Sequence, residues 1–244
     1  MPHPDYPVDQ VFEGGDMDCG SGLILLIRQN MLTVPEGGIM ELRSSEPSVS
    51  AELPPWCRMV GHEYLQTVED APEHWRHWIR RGTGQSTEAT ALEDDKKRAV
   101  NYAWRLRARH SANKEATVYA RNFSWRLGQP ASFEEKDALP SALEAALGAL
   151  LADVLNSFAS RCRQMGWIID DLEGNLSATL HNILAHLGLD QGDPSVKKID
   201  LTVFITSPAA GDDLRRAWAE TLTRSPLYQT LCKACEIEAR LAIL

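Results

Sequence analysis

Five cysteines carry most of the chemistry open to this chain: Cys19, Cys57, Cys162, Cys232 and Cys235. Cys19 stands between a strand-like run closing on Asp16-Met17-Asp18 and an apolar stretch, Gly22 to Met31, that predicts a helix. A cysteine at a helix start faces unsatisfied backbone N–H groups and the positive end of the helix dipole, and both favour thiolate over thiol. Thiolate is the nucleophilic form, so this placement predicts a sulfur-handling site; a buried structural cysteine is the alternative. Cys232-Lys233-Ala234-Cys235 has the spacing of a redox pair or of half a zinc site. No second C-x-x-C and no paired histidines accompany it in the sequence, so we read it as structural, with a relay of sulfur from Cys19 as its alternative. Cys57, beside Trp56 within a helical run, reads as core, with resolution of an oxidised Cys19 as a lesser role. His74 and His77 are an odd number of residues apart on a strand and so face opposite ways, which argues against a shared metal. The sequence has neither a glycine-rich phosphate loop nor a nucleophilic-serine elbow, and we expect no metal and no cofactor.

The elements that must position these residues fall into two groups. Before residue 82 the order is strand, helix, strand, helix, strand, strand. Pro35-Glu36-Gly37-Gly38 ends the first helix, because glycine supplies a left-handed cap and proline cannot continue the helix. Ile39 to Arg43 is a short strand, and Glu46-Pro47-Ser48 opens a helix through Leu53, Trp56 and Val60 that stops at Gly61. Glu63 to Val68 and Trp75 to Ile79 alternate as closing strands. The pattern predicts a small two-layer α/β sandwich, βαβαββ. Residues 82–96 are polar and turn-rich at their start and charged at their end, and we read them as a linker between domains 1–81 and 97–244. Beyond it, Ala99 to Ala108 and Glu115 to Leu127 read as a strand meander. Pro140 starts a long helix in which Leu143, Leu147, Leu151, Val154, Phe158 and Cys162 recur at three- and four-residue steps. Alanines and leucines fill the places between, predicting a buried central helix. Strands at Trp167–Leu180, Lys198–Thr206 and Ile237–Leu241 and helices at Asp212–Arg224 and Leu227–Cys232 complete an α+β domain.

Composition narrows the partners. The chain has 244 residues, 43% hydrophobic and 24% charged, with a net charge of −9. Its first 81 residues hold six arginines and no lysine against thirteen acids. Such a surface repels phosphate backbones, so direct nucleic-acid binding is not expected; it suits docking onto a basic protein. Leu23 to Ile27 is too short for a signal-peptide core or a membrane span. Together with an odd, sparse set of cysteines this predicts a cytoplasmic protein without a membrane partner.

Residues 8–81 resemble the TusA/SirA family of small sulfur-carrier proteins. That family has an acid, then six residues on a cysteine in a C-P-x-P motif at a helix start; Glu13 and Cys19 match them here. Glu46-Pro47 stands where the family has Asp-Pro. Glu52-Leu53-Pro54-Pro55-Trp56-Cys57-Arg58-Met59-Val60-Gly61-His62-Glu63 follows its second-helix pattern and is the most specific match. The departure is Cys19-Gly20-Ser21-Gly22, in which Gly20 and Gly22 replace both prolines around Ser21. Two glycines loosen the helix start, and Asp16 and Asp18 push the thiol pKa up. The resemblance implies a persulfide carried on Cys19.

Residues 97–244 resemble the OsmC/Ohr family in the meander, in the helix from Pro140 to Leu151 and in Ser225-Pro226-Leu227-Tyr228-Gln229-Thr230-Leu231. The peroxide-reducing members have one cysteine in that helix and a second opening the latter motif. The first position falls at Leu150 or Leu151, depending on alignment, and the second at Ser225. None of these residues can do thiol chemistry, so the fold is expected without peroxidase activity. The resemblance also implies a homodimer held by this domain.

These readings converge on a sulfur carrier or sulfurtransferase. Cys19 takes a persulfide sulfur from a donor, such as a cysteine desulfurase or a rhodanese, and passes it to an acceptor protein. The OsmC-like domain serves as dimerisation, partner or ligand scaffold. Two alternatives are a non-catalytic redox-regulatory or binding protein and a thiol peroxidase using relocated cysteines.

Overall fold

The computed structural model describes residues 6–83, 85–111, 115–132 and 136–244; the side chains of residues 21 and 85–88 lie outside that description. The chain divides into two compact units, Met1–Ala103 and Trp104–Leu244.

The first unit contains β1 (Gln10–Gly15), α1 (Leu23–Met31), β2 (Ile39–Ser44), α2 (Val49–Val60), β3 (Glu63–Ala71) and β4 (His74–Arg80). This is the expected βαβαββ order. Its four-stranded sheet runs β1-β2-β4-β3, with β1 parallel to β2 and the other neighbours antiparallel. Leu23, Ile27 and Met31, at four-residue steps on α1, and Val49, Leu53, Trp56 and Cys57 on α2 meet Met40, Leu42 and Ile79 of the sheet in one core. Gly14 permits the close packing of α1 at the sheet: a Cβ there would stand 3.0 Å from methyls of Leu23 and Leu42. Pro54 and Pro55 sit inside α2, where each removes an amide donor from the ladder; the helix nonetheless continues to a left-handed Gly61 cap.

The structure differs from the sequence reading at the expected linker, because α3 (Gln85–Val100) is a helix and belongs to the first unit. Leu92 is buried on it, and Asp95 reaches the Nε of Arg28 on α1 at 3.0 Å. Arg28 in turn lies over the Trp56 ring, 5.6 Å from its centroid. An apolar anchor and an ion pair help hold a largely polar helix.

The second unit contains β5 (Leu106–His110), β6 (Ala116–Ala120), β7 (Phe123–Leu127), α4 (Ala142–Gln164), β8 (Asp171–Leu180), α5 (Ile183–His186), β9 (Val196–Thr206), α6 (Gly211–Arg224), α7 (Pro226–Leu231) and β10 (Glu236–Ile243). Strands β10-β9-β8 form one sheet and β5-β6-β7 a separate antiparallel meander. The meander starts later than expected, since Ala99 and Val100 belong to α3. Ser141 caps α4 in a reciprocal capping box with Glu144. Leu150, Val154, Phe158 and Cys162 form its buried stripe, packed with Ile199, Leu201, Val203, Leu214 and Trp218. The expected all-round burial is therefore corrected: Ala142, Ala146, Gly148, Ala149 and Ala152 are exposed. By length and composition alone, α4 is also long and apolar enough to cross a membrane.

One buried polar group bears on stability. His77 of β4 is fully buried; its Nδ1 lies 2.7 Å from Thr67 Oγ1, while its Nε2 is buried without a hydrogen-bond partner. Burial pushes the imidazole down to about 4. A depressed histidine contributes stability above its unfolded pKa that is lost as pH falls toward the folded value. Urea unfolding of the first unit should therefore lose ~1.5 kcal/mol between pH 6.5 and pH 5. His77→Leu should flatten that window; an equally steep loss in the variant would contradict the assignment.

Candidate functional site

The parallel pairing of β1 with β2 brings the ends of both strands to one edge of the sheet. Gly15 pairs with Ser44, and its carbonyl accepts from the Ser45 amide at 2.8 Å. The chain leaving β1 reaches Cys19 four residues later, and the chain leaving β2 enters α2 five residues later. Ser44 Oγ accepts from the Glu46 amide at 3.0 Å, and the Glu46 carboxylate accepts from the Ser48 amide at 3.1 Å. These bonds turn the chain into α2, whose first turn carries Glu52. Crevices beyond the carboxyl ends of parallel strands are where open α/β sheets bind ligands.

Cys19 is half-buried and opens a single 3₁₀ turn, Cys19–Ser21. The α-helix starts only at Leu23, with Gly22 as its N-cap at φ 109°. That left-handed backbone is readily available to glycine and closed to proline, whose ring holds φ near −65°. The glycines are thus a different local geometry from a proline-fixed start, and Cys19 stands ahead of the α1 amides rather than on them.

The thiol is accordingly the reverse of the activated thiolate expected from a helix start. It is pushed up to about 12, first by burial, then by donating a hydrogen bond to the Glu52 carboxylate, then by the charges of Glu52 and Asp18. Of the two nearby acids expected to act, Asp18 does, and Glu52 joins it from a distant part of the chain. Glu13, the acid of the sequence motif, is engaged elsewhere: its carboxylate accepts from Arg43 at 2.9 Å across the β1–β2 pair. Gly20 is exposed within the turn, with Asp18 Oδ1 3.4 Å from where its Cβ would be. Asp16 lies in the half-buried segment between β1 and the turn, and the side chain of Ser21 lies outside the described residues.

The other cysteines belong to other elements. Cys57 is fully buried in the first core, and burial pushes its thiol up to about 12. Cys162 is fully buried in the second core. Cys232 is exposed and Cys235 half-buried, where α7 passes into β10. Among the described residues, no three His, Cys, Asp or Glu side chains stand together in a way that could hold a metal ion.

In the second unit, Leu150 is fully buried in the core, and Leu151 packs toward Gly174, where an added Cβ would meet it at 2.7 Å. Ser225 caps α7 by accepting from the Tyr228 amide at 3.0 Å and donates to Asp153 Oδ2 at 2.5 Å. The α4 residue facing Ser225 is therefore Asp153, rather than Leu150 or Leu151. An aspartate and a serine hold this place with a hydrogen bond and leave it without a thiol.

Comparison with known proteins divides the chain in the same way. No family model matches it. Among curated proteins, the sulfur carrier protein TusA of Pseudomonas putida (strain GB-1) is 29% identical over 77 residues, covering 32% of this chain and 94% of that protein. TusA of Pseudomonas fluorescens (strain SBW25) is 26% identical over 84 residues, covering 34% of this chain and 99% of that protein. Among solved structures, an OsmC-like protein from Mycoplasma pneumoniae superposes with a TM-score of 0.50 at 17% identity, covering 59% of this chain and 99% of that one. The chain thus joins an N-terminal third similar to the TusA sulfur carriers to a C-terminal part with an OsmC-like fold.

Proposed function

We propose that this protein is a sulfur carrier whose cargo is a persulfide sulfur on Cys19. The observation that carries the reading is the coincidence of TusA similarity with a half-buried thiol at the open edge of a parallel strand pair. In the step we assign, Cys19 loses its proton to water and the thiolate attacks the outer sulfur of a donor persulfide. A new S–S bond forms on Cys19, the donor's S–S bond breaks, and the donor leaves as a thiolate that takes up a proton. An acceptor thiol then attacks the outer sulfur on Cys19 and releases the original cysteine. Glu52 and Asp18 disfavour negative charge on the Cys19 sulfur, which slows both its attack in loading and its departure in handing on. The donor is a persulfide-bearing protein such as a cysteine desulfurase or a rhodanese, the acceptor a second protein, and the setting the cytoplasm, where thiols stay reduced.

The raised thiol also favours a second reading, in which Cys19 stays unloaded and the chain is a redox-regulatory or binding protein. Loading separates the two. Incubated with a cysteine desulfurase and cysteine, the intact protein should gain one sulfur, about 32 Da, and Cys19→Ser should gain none. An unloaded wild-type protein would select the second reading. Loading that survives Cys19→Ser and disappears with Cys232→Ser or Cys235→Ser would move the site to the second unit.

We further propose that the second unit is completed by a second copy of this chain. No residue of β5, β6 or β7 is buried, and Trp104, Leu106, Phe123 and Trp125 are exposed. Three five-residue strands without a covered face are marginal alone, and the alanine face of α4 is likewise uncovered. Light scattering of the full chain should give twice the chain mass of 27.2 kDa; a monomer at micromolar concentration would contradict the pairing.

A further inference from the structure

Cys232 and Cys235 stand outside the reading given to Cys19, and the backbone between them holds them as a pair. Helical bonds continue past α7: the Cys232 amide donates to Tyr228 O at 2.9 Å, the Ala234 amide to Leu231 O at 2.9 Å and the Cys235 amide to Leu231 O at 3.0 Å. Residues three apart on a helical turn have Cα atoms roughly 5 Å apart, inside the range that a disulfide spans. The two side chains lie on that turn's carbonyl end, with Cys232 Sγ 3.6 Å from Gln229 O and Cys235 Sγ 3.5 Å from Leu231 O. Their surroundings differ. Cys232 is exposed, while Cys235 is half-buried and packs against the second core. The charge of Cys232 is felt by its neighbours, raising both the Cys235 thiol, after burial, and the Tyr228 phenol, again after burial.

We infer that Cys232 and Cys235 form a dithiol site that is oxidised to an intrachain disulfide by low-molecular-weight disulfides. The exposed Cys232 attacks first. Its thiolate bonds to one sulfur of the small disulfide, the S–S bond of that molecule breaks, and one small thiolate leaves. Cys235 then attacks the Cys232 sulfur, closing the protein disulfide and expelling the second small thiolate. Two protein thiols lose two electrons and two protons; the small disulfide gains both and departs as two thiols. The order follows from access: a raised, half-buried thiol is a slow first attacker on a bulky disulfide but is already in place to close on its neighbour. The staple would join the end of α7 to the start of β10, the strand that lies parallel to β9 from Glu236 to Ile243. This assignment is independent of persulfide chemistry on Cys19.

The test is oxidation of the reduced full-length protein with glutathione disulfide at neutral pH, followed by alkylation and mass analysis. The intact chain should lose about 2 Da and block two fewer thiols than the reduced protein. Trypsin cuts after Lys233, so the bond should appear as Ser225–Lys233 linked to Ala234–Arg240. In Cys235→Ser, glutathione should remain on Cys232 as a trapped mixed disulfide. In Cys232→Ser, Cys235 should take up glutathione at least tenfold more slowly than wild-type protein closes its disulfide. Two free thiols after exposure, or glutathione held separately on both cysteines of the wild-type chain, would overturn the proposal. Equal rates at Cys235 with and without Cys232 would overturn the order of attack.

Discussion

The parallel alignment of β1 with β2 is the constraint on which the Cys19 edge depends. Parallel neighbours need a crossover, here α1, and the crossover returns the chain so that both strands end at the same edge. The loop leaving β1 carries Cys19, and the loop leaving β2 turns into α2 with Glu52 in its first turn. A carboxylate 33 residues away in sequence thereby accepts a hydrogen bond from the thiol. The core beneath makes that meeting rigid: α1 places an apolar residue every turn against Met40 and Leu42, and α2 places Leu53 and Cys57 beside them. Changing the Glu52 side chain alters the charge around Cys19; changing the strand pairing would remove the site altogether.

In the second unit a polar pair joins two helices. Ser225 is 1% exposed, and a hydroxyl so buried needs partners. It has an amide to accept from and a carboxylate to donate to. The bond ties α4 to the start of α7, and α7 leads directly to the Cys232–Cys235 turn. The same short helix therefore connects a redox-silent polar contact in the interior with a dithiol at the surface.

Strong local signals made most of the first unit legible in sequence. Apolar spacing over Leu23–Met31 and the Gly61 cap define elements that the structure reproduces, whereas α1 is capped by Leu32 in right-handed geometry, ahead of the Gly37-Gly38 cap expected for it. What the sequence concealed depends on distant contacts or on backbone geometry. Helix α3 is polar enough to read as a linker, although Leu92 is buried on it and Asp95 pairs with Arg28. Gly22 reads as looseness, yet its positive φ is a defined geometry that moves the α-helix start beyond Cys19. Glu52 was within a recognised pattern, but nothing local marks it as a partner of Cys19. The α4 pattern gave apolar character without saying which face is covered within one chain. Nothing local in the sequence marks Asp153 as the partner of Ser225, 72 residues away.

The central claim is that Cys19 rests as a protonated thiol, held so by burial and by the Glu52 carboxylate, and becomes nucleophilic only as its proton is removed. The direct measurement is the rate of Cys19 alkylation as a function of pH, followed by mass analysis of the Cys19 peptide in wild-type protein and in Glu52→Gln. The account predicts a wild-type rate that climbs through pH 9 and 10 without a plateau, because the thiol titrates at about 12. It predicts a faster rate in Glu52→Gln at every pH below that point. A wild-type rate that levels off below pH 8 would mean that Cys19 is a stabilised thiolate, and a variant that reacts more slowly would mean that Glu52 assists deprotonation; either result would contradict the account.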